Sequence, residues 1–231
     1  MQTADLSPLA AHTSDDLIWS PRDQMGFYDV DAHLAREGIP LVYAESYFQK
    51  YVEMDQTTFA EDLNRFRCIT TIQAMPDHVK PIRVLDVGIG GGGFIKALLK
   101  RQDIAPARLD VYGADINPIA ISWLDSRNML GSFDEMYDVV TFWDSLEHIR
   151  HPETALQCVG TVAIVSIPIF RDADHALESK HYRKDEHFWY FTRQGFMKWA
   201  NRQGFIVQDV RINETLLGRE DIETFVLRRK Y

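Results

Sequence analysis

Residues 83–98 read Arg-Val-Leu-Asp-Val-Gly-Ile-Gly-Gly-Gly-Gly-Phe-Ile-Lys-Ala-Leu. Val84, Leu85 and Val87 form an apolar run of the length of a buried strand. Five glycines then fall within six positions, 88–93. They permit a tight turn and close approach of a ligand to bare backbone. Phe94, Ile95, Leu98 and Leu99 follow at helical spacing. The first N–H groups of that helix have no partner within it and point back at the turn. A strand, a glycine turn and a helix in this order are where open α/β sheets bind nucleotide-like ligands.

The loop alone leaves two ligands open. Gly88, Gly90 and Gly93 fit the G-x-G-x-x-G spacing of dinucleotide-binding enzymes. Gly88, Gly90 and Gly92 fit the G-x-G-x-G spacing of S-adenosylmethionine (SAM) enzymes equally well. An unliganded surface turn is the third reading, and the strand and helix periods on either side count against it.

The bulk numbers narrow the class. The 231 residues suffice for one sizeable core with an added arm. Hydrophobic residues make up 45% and charged residues 26%, ordinary for a globular protein. No apolar run reaches bilayer length, and residues 1–16 lack a basic start followed by an apolar stretch. Cys68 and Cys158 are the two cysteines and form no metal-type pair. The expectation is a cytoplasmic protein with reduced thiols. A net charge of −9 opposes sequence-independent nucleic-acid binding. Arg171, Lys180, Arg183 and Lys184 share one segment, which reads as a mouth for an anionic substrate or as a solvated loop.

Upstream of the glycines, residues 1–20 are polar and aperiodic and read as a mobile arm. Residues 21–55 are aromatic-rich, and Tyr43, Tyr47 and Tyr51 would share a helix face, as core or as a lid over the ligand. Thr58-x-x-Glu61 resembles a capping box, and Phe59, Leu63, Phe66 and Ile69 continue a helix to about residue 75. This divides the chain into an arm and helical cap, 1–75, and a main domain, 76–231.

Downstream, residues 108–115 read as a second strand ending in Asp115, with a helix from Asn117-Pro118 to Leu124. Strands are expected at 137–143 and 161–170, and helices at 152–158 and 191–203, the latter closed by Gly204. Residues 205–212 and 223–227 read as an antiparallel pair ending a parallel sheet. This alternation is α/β and doubly wound. The interval 124–135 is too short for a full strand and helix, so one edge strand of a seven-stranded sheet is short or degenerate. Asp115, one strand away from the glycines, suits both ribose hydroxyls of NAD or SAM, and also suits a helix N-cap, as does Asn117.

Residues 137–149, Tyr-Asp-Val-Val-Thr-Phe-Trp-Asp-Ser-Leu-Glu-His-Ile, choose between the ligands. With the glycine loop and Asp115, the segment resembles class I SAM-dependent methyltransferases of the branch carrying Leu-Glu-His after the fourth strand. Ile167-Pro168 and Gly204-Phe205-Ile206-Val207 match the family's later strand boundaries. The resemblance covers residues 82–231 and implies a Rossmann-like seven-stranded sheet, mostly parallel. It implies that Asp86, Gly88, Ile89, Gly90 and Gly92 form the SAM loop. Asp115 would hold the ribose, Ile116 would lie on the adenine, and Trp143 and Asp144 would stand near the methionine end. A nicotinamide enzyme loses ground because little chain follows residue 150 to build a separate substrate domain.

Asp144, Glu147 and His148 would share a face at a helix start. Two carboxylates and an imidazole there suit a divalent cation. The segment from Lys184 through His187 to the aromatic run that follows is similar to small-RNA 2′-O-methyltransferases, and the similar ubiquinone-pathway O-methyltransferases are also associated with a metal-binding set. The resemblance implies Asp144, Glu147, His148 and His187 as metal ligands, with Asp144 standing where the pattern has Glu. Local hydrogen bonding by Glu147 and His148 is the alternative. His148 or His181 would serve as general base. The expected function is methyl transfer from SAM to a hydroxyl oxygen of a small-molecule acceptor. A nucleic-acid ribose methyltransferase and a non-catalytic SAM-binding protein are the alternatives.

Overall fold

The computed structural model describes residues 11–12, 17–38, 45–77, 81–105 and 107–230. It begins with three short strands, β1 (Ala11–His12), β2 (Ile18–Ser20) and β3 (Met25–Phe27), paired antiparallel in that order. Helices α1 (Val30–Glu37), α2 (Glu45–Met54) and α3 (Thr58–Ala74) follow. The main domain then runs β4 (Ile82–Val87), α4 (Gly93–Leu99), β5 (Leu109–Ala114), α5 (Pro118–Asp125) and β6 (Tyr137–Trp143). After α6 (Pro152–Ala155) come β7 (Val159–Pro168), α7 (Ala173–Glu178), β8 (Trp189–Phe191) and α8 (Arg193–Arg202). The chain ends with β9 (Phe205–Arg211), α9 (Asn213–Leu216) and β10 (Ile222–Arg229).

The main sheet has the order β5-β4-β6-β7-β10-β9. Its first four strands are mutually parallel, and β10 runs antiparallel to both β7 and β9. Strands covered on both faces read as continuous apolar runs, which is how β4, β6 and β7 appear in the sequence. Val84, Val139, Ile164 and Val226 pack on the α3–α4–α5 side. Leu85, Phe142, Val165 and Phe225 pack on the opposite side with Phe196 and Trp199 of α8.

Among the described residues the main sheet has six strands where seven were expected. The missing edge strand is reduced to one parallel bridge, Gly113 to Leu130, beside β5. Met129 and Gly131 exchange single backbone bonds with Gly113, and Asn128 turns at φ 55° just before, leaving no length for a longer pairing. The capping residue of α3 is Thr57, whose hydroxyl accepts from the Ala60 N–H at 3.2 Å, one position before the expected Thr58. The helix expected from residue 191 begins at Arg193 with Thr192 as its cap, because residues 189–191 form β8.

Strand β8 pairs with β3, so the small sheet has the order β1-β2-β3-β8. Residues 17–20 therefore belong to folded structure, and the expected arm covers residues that lie mostly outside those described. Leu17, Trp19, Tyr28 and Leu34 form a core with Phe170, Phe188 and Tyr190 of the main domain. Of the three spaced tyrosines, Tyr43 and the side chain of Tyr47 lie outside the described residues, and Tyr51 lies against Gly90. No helix among the described residues is long and apolar enough to cross a membrane.

Candidate active site

The C-terminal ends of β4, β5 and β6 converge at the glycine loop. Gly88, Gly90 and Gly92 all have positive φ, at 78°, 54° and 76°. A side chain at Gly88 would meet Ser145, whose hydroxyl donates to the Val87 carbonyl at 2.6 Å. The outer face of the loop is occupied by protein. Tyr51 lies over Gly90, the end of α2 over Gly91, and the Asp55 carboxylate against Gly91 and Gly93. The glycines thus make room for α2 and Asp55, and Gly93, at ordinary φ, belongs to helix packing.

Asp86 is 2% exposed and accepts from the Thr141 hydroxyl at 2.7 Å. Burial pushes its carboxyl up to about 7, against the pull of that bond and of Arg67. Asp115 directly follows β5, accepts from the Asn117 N–H at 2.8 Å, and is also held by the amides of Gly90, Ile116 and Ile89. Burial outweighs these and raises its pKa. Asn117 is the side-chain cap of α5. Ile89 is buried in the core, whereas Ile116 is 66% exposed beside Asp115. Trp143 is buried against Phe94, with the Arg67 guanidinium 4.9 Å over its ring.

Asp144 does not join the expected set of four ligands. Its carboxylate accepts from Arg67 at 3.1 Å and Arg219 at 2.6 Å. Both guanidiniums also bind the fully buried Glu214, which accepts from the Ser166 hydroxyl. Two cations and two anions are thereby balanced. The two arginines outweigh the cost of burial and hold Asp144 below the usual carboxylate range. Its backbone sits at φ 55°, an uncommon conformation for a non-glycine residue.

The other three candidates come together. Ligand atoms of Glu147, His148 and His187 lie within 4.8 Å of one another, and the two imidazole centroids are 4.5 Å apart. Glu147 is 2% exposed, and neither carboxylate oxygen has a side-chain hydrogen-bond partner among the described residues. Burial, reinforced by the Asp144 charge, raises the Glu147 pKa well above the usual range. Burial pushes His148 down to about 4 and His187 well below its ordinary value. Both imidazoles are therefore neutral at pH 7 and offer lone pairs.

His181 lies outside this trio. Its Nε2 donates to the Glu220 carbonyl at 2.9 Å, leaving Nδ1 as the basic nitrogen, and burial lowers its pKa. In the anticipated basic mouth, Lys180 pairs with Glu220, Arg183 pairs with Glu186, and Lys184 lies over the Tyr182 ring.

These features combine a glycine loop, an acid one strand away and a polar cluster after the next strand. The methyltransferase domain family model matches residues 41–210, which span all three. The chain belongs to the methyltransferase domain family. Solved structures share the fold at low identity. A Haloferax volcanii methyltransferase, described as putative and solved with the Trm112 activator, is 13% identical with TM-score 0.56, covering 80% of this chain and 96% of that one. The plantazolicin methyltransferase BpumL, solved with SAH, is 14% identical with TM-score 0.52, covering 87% and 94%. CalS10, an amino pentose methyltransferase from Micromonospora echinaspora solved with SAM, is 14% identical with TM-score 0.52, covering 82% and 99%. No curated protein sequence matches the chain.

In this methyltransferase, sequence reasoning missed Asp55, Arg67, Glu214 and Arg219. Arg67 carried a faint signal, a cation within the apolar period of α3. The others meet the site only through tertiary folding.

Proposed function

We propose that this methyltransferase takes its methyl group from SAM and delivers it to a hydroxyl oxygen of a small-molecule acceptor, with a divalent cation at Glu147, His148 and His187. SAM, when bound, supplies a sulfonium-activated methyl that needs mainly an aligned nucleophile. The residues fit it. Asp115 stands where ribose hydroxyls would be accepted, the exposed Ile116 suits an adenine face, and Gly88, Gly90 and Gly92 hold the turn.

The observation that carries the metal is Glu147. A buried carboxyl with two unpartnered oxygens is costly unless something binds it. Two neutral imidazoles beside it complete a donor set suited to first-row divalent ions. A bound cation orients an acceptor hydroxyl and lowers its pKa. Glu147, His148 and His187 would hold the cation, Asp144 fixes the chain just before them through Arg67 and Arg219, and His181, through its Nδ1, would be the base for the acceptor's proton. The net charge of −9 favours a small acceptor over an RNA.

The test is transfer of label from methyl-labelled SAM into hydroxyl-bearing small molecules and, separately, into RNA. Label in the small-molecule fraction supports the reading. Label confined to RNA replaces the acceptor class, and no transfer to either contradicts catalysis.

A further inference from the structure

Arg67 and Arg219 hold the same two carboxylates, but by different edges. Arg67 uses its fork: Nε donates to Glu214 Oε1 at 2.9 Å, and Nη2 donates to Glu214 Oε2 and Asp144 Oδ2, both at 3.1 Å. Arg219 uses one nitrogen. Its Nη1 donates to Asp144 Oδ2 at 2.6 Å and to Glu214 Oε2 at 2.5 Å. A guanidinium carries five N–H donors in a rigid plane. The Nε–Nη2 edge of Arg219, the edge that matches a carboxylate, has no hydrogen-bond partner among the described residues. Pinning Nη1 between two anions fixes the plane and so gives the unused edge a set direction.

That edge is neither core nor open surface. The Arg219 side chain is 24% exposed, in the turn between α9 and β10. Its backbone N–H donates to the Glu214 carbonyl and its carbonyl accepts from Ile222, so the turn is tied at both ends. His181 Nε2 donates to the Glu220 carbonyl and joins the neighbouring segment to the same turn. Arg219 is within electrostatic reach of His181 and of Glu147. The acids beside it are already engaged. Glu220 pairs with Lys180, and Asp221 lies 3.4 Å from His175 Nε2. Asp144 and Glu214 are balanced by the two arginines, so one further negative charge meets no uncompensated carboxylate in this network. An oriented guanidinium with a free fork, beside groups assigned to the acceptor, suits a planar anion.

We propose that Arg219 anchors a carboxylate of the acceptor, its Nε–H and Nη2–H donating one to each oxygen, so that the molecule methylated is a hydroxy acid rather than a neutral alcohol or phenol. The inference rests on the reading of this site as one for a small hydroxyl-bearing acceptor. A carboxylate suits the edge better than a phosphate monoester, because it brings a single negative charge to a neutral network, where the phosphate brings about −1.5 to −2. Arg219 then sets which hydroxyl of the acceptor faces the methyl group.

Ligand-observed NMR titrations of the full chain with benzoate, benzamide and phenyl phosphate test this. Benzamide has the shape of benzoate without its charge. Arg219→Lys keeps a cation for Asp144 and Glu214 but has no fork. The expected result is wild-type binding of benzoate at least about tenfold tighter than benzamide, and tighter than phenyl phosphate, with the preference over benzamide lost in R219K. Equal binding of benzoate and benzamide by the wild type would overturn the proposal, and that comparison does not depend on the variant's folding. A folded R219K that keeps the preference would overturn it too, and tighter binding of phenyl phosphate would overturn the carboxylate assignment. Transfer from methyl-labelled SAM separates the failures. Label in neutral alcohols and phenols but not in hydroxy acids would overturn the anchor and leave the hydroxyl-acceptor reading standing, whereas label in RNA alone would overturn both.

Discussion

The backbone N–H of Phe188 donates to the carbonyl of Glu147 at 2.9 Å. This bond joins the two distant segments that carry the candidate site and sets His187 beside Glu147 and His148. It is braced from the N-terminal side. Tyr28 donates to the Phe188 carbonyl, β3 pairs with β8, and the Trp189 indole bridges to the carbonyls of Ile149 and Arg150. Arg150 in turn reaches Asp29 and Asp31 at the start of α1.

That bracing gives Gly195 a testable importance. A Cβ there would overlap the carbonyl oxygen of Gln24, in the turn joining β2 and β3. In a free helix Gly→Ala would stabilise by ~1 kcal/mol. Here overlap with fixed backbone outweighs the gain, and we expect Gly195→Ala to destabilise by ~1–3 kcal/mol. Denaturant unfolding of the variant checks the sign, and a stabilised protein would show the hairpin to be freely movable.

The Arg67–Asp144–Arg219–Glu214 cluster is balanced in charge and mostly buried. Glu214→Gln leaves a buried positive charge uncompensated, with an expected loss of about 3 kcal/mol. Chemical denaturation measures it, and a change below ~1 kcal/mol would contradict the account of this network.

Asp86 makes stability depend on pH in an unusual direction. Its folded pKa, about 7, lies above the unfolded value of a carboxylate. Between those values the folded state holds the proton that the unfolded state has lost, so stability falls as pH rises from about 4 to about 7 and is level above. The contribution is up to roughly 4 kcal/mol. Asp86→Asn should remove it, making the variant gain on wild type as pH rises from 5 to 8. Melting temperatures of both proteins at the two pH values report this, and a parallel fall in both would refute it.

Much of this was legible in the sequence, and the exceptions have a common cause. Strand β6, the glycine loop and the cap at Asn117 declare themselves through local pattern, since a buried strand, a positive-φ turn and an N-cap each need particular residues in place. Glu147, His148 and His187 could be nominated by resemblance, but the ion pairs that engage Asp144 could not be read from the sequence. Its partners, Arg67 and Arg219, approach from α3 and the turn before β10, and no local spacing announces them. Strands β2, β3 and β8 are three residues each, too short to show a period, and they hold together by pairing across the chain. Thr57 and Thr58 are both competent caps, and only the chain's approach to α3 selects the first.

Glu147 is where the metal reading is most exposed to test. Glu147→Gln keeps the volume but replaces one carboxylate oxygen by an amide nitrogen. It should cut methyl transfer at least about 100-fold, with the melting temperature of the cation-free protein little changed.

The most direct measurement of the central claim is methyl transfer from labelled SAM to hydroxyl-bearing small molecules, run with chelator and then with Mn²⁺ restored, in wild type and E147Q. The account predicts that chelator abolishes wild-type transfer, that Mn²⁺ restores it, and that E147Q stays inactive under both conditions. Full wild-type activity in chelator, or full activity of E147Q, would contradict a metal-held acceptor at Glu147, His148 and His187.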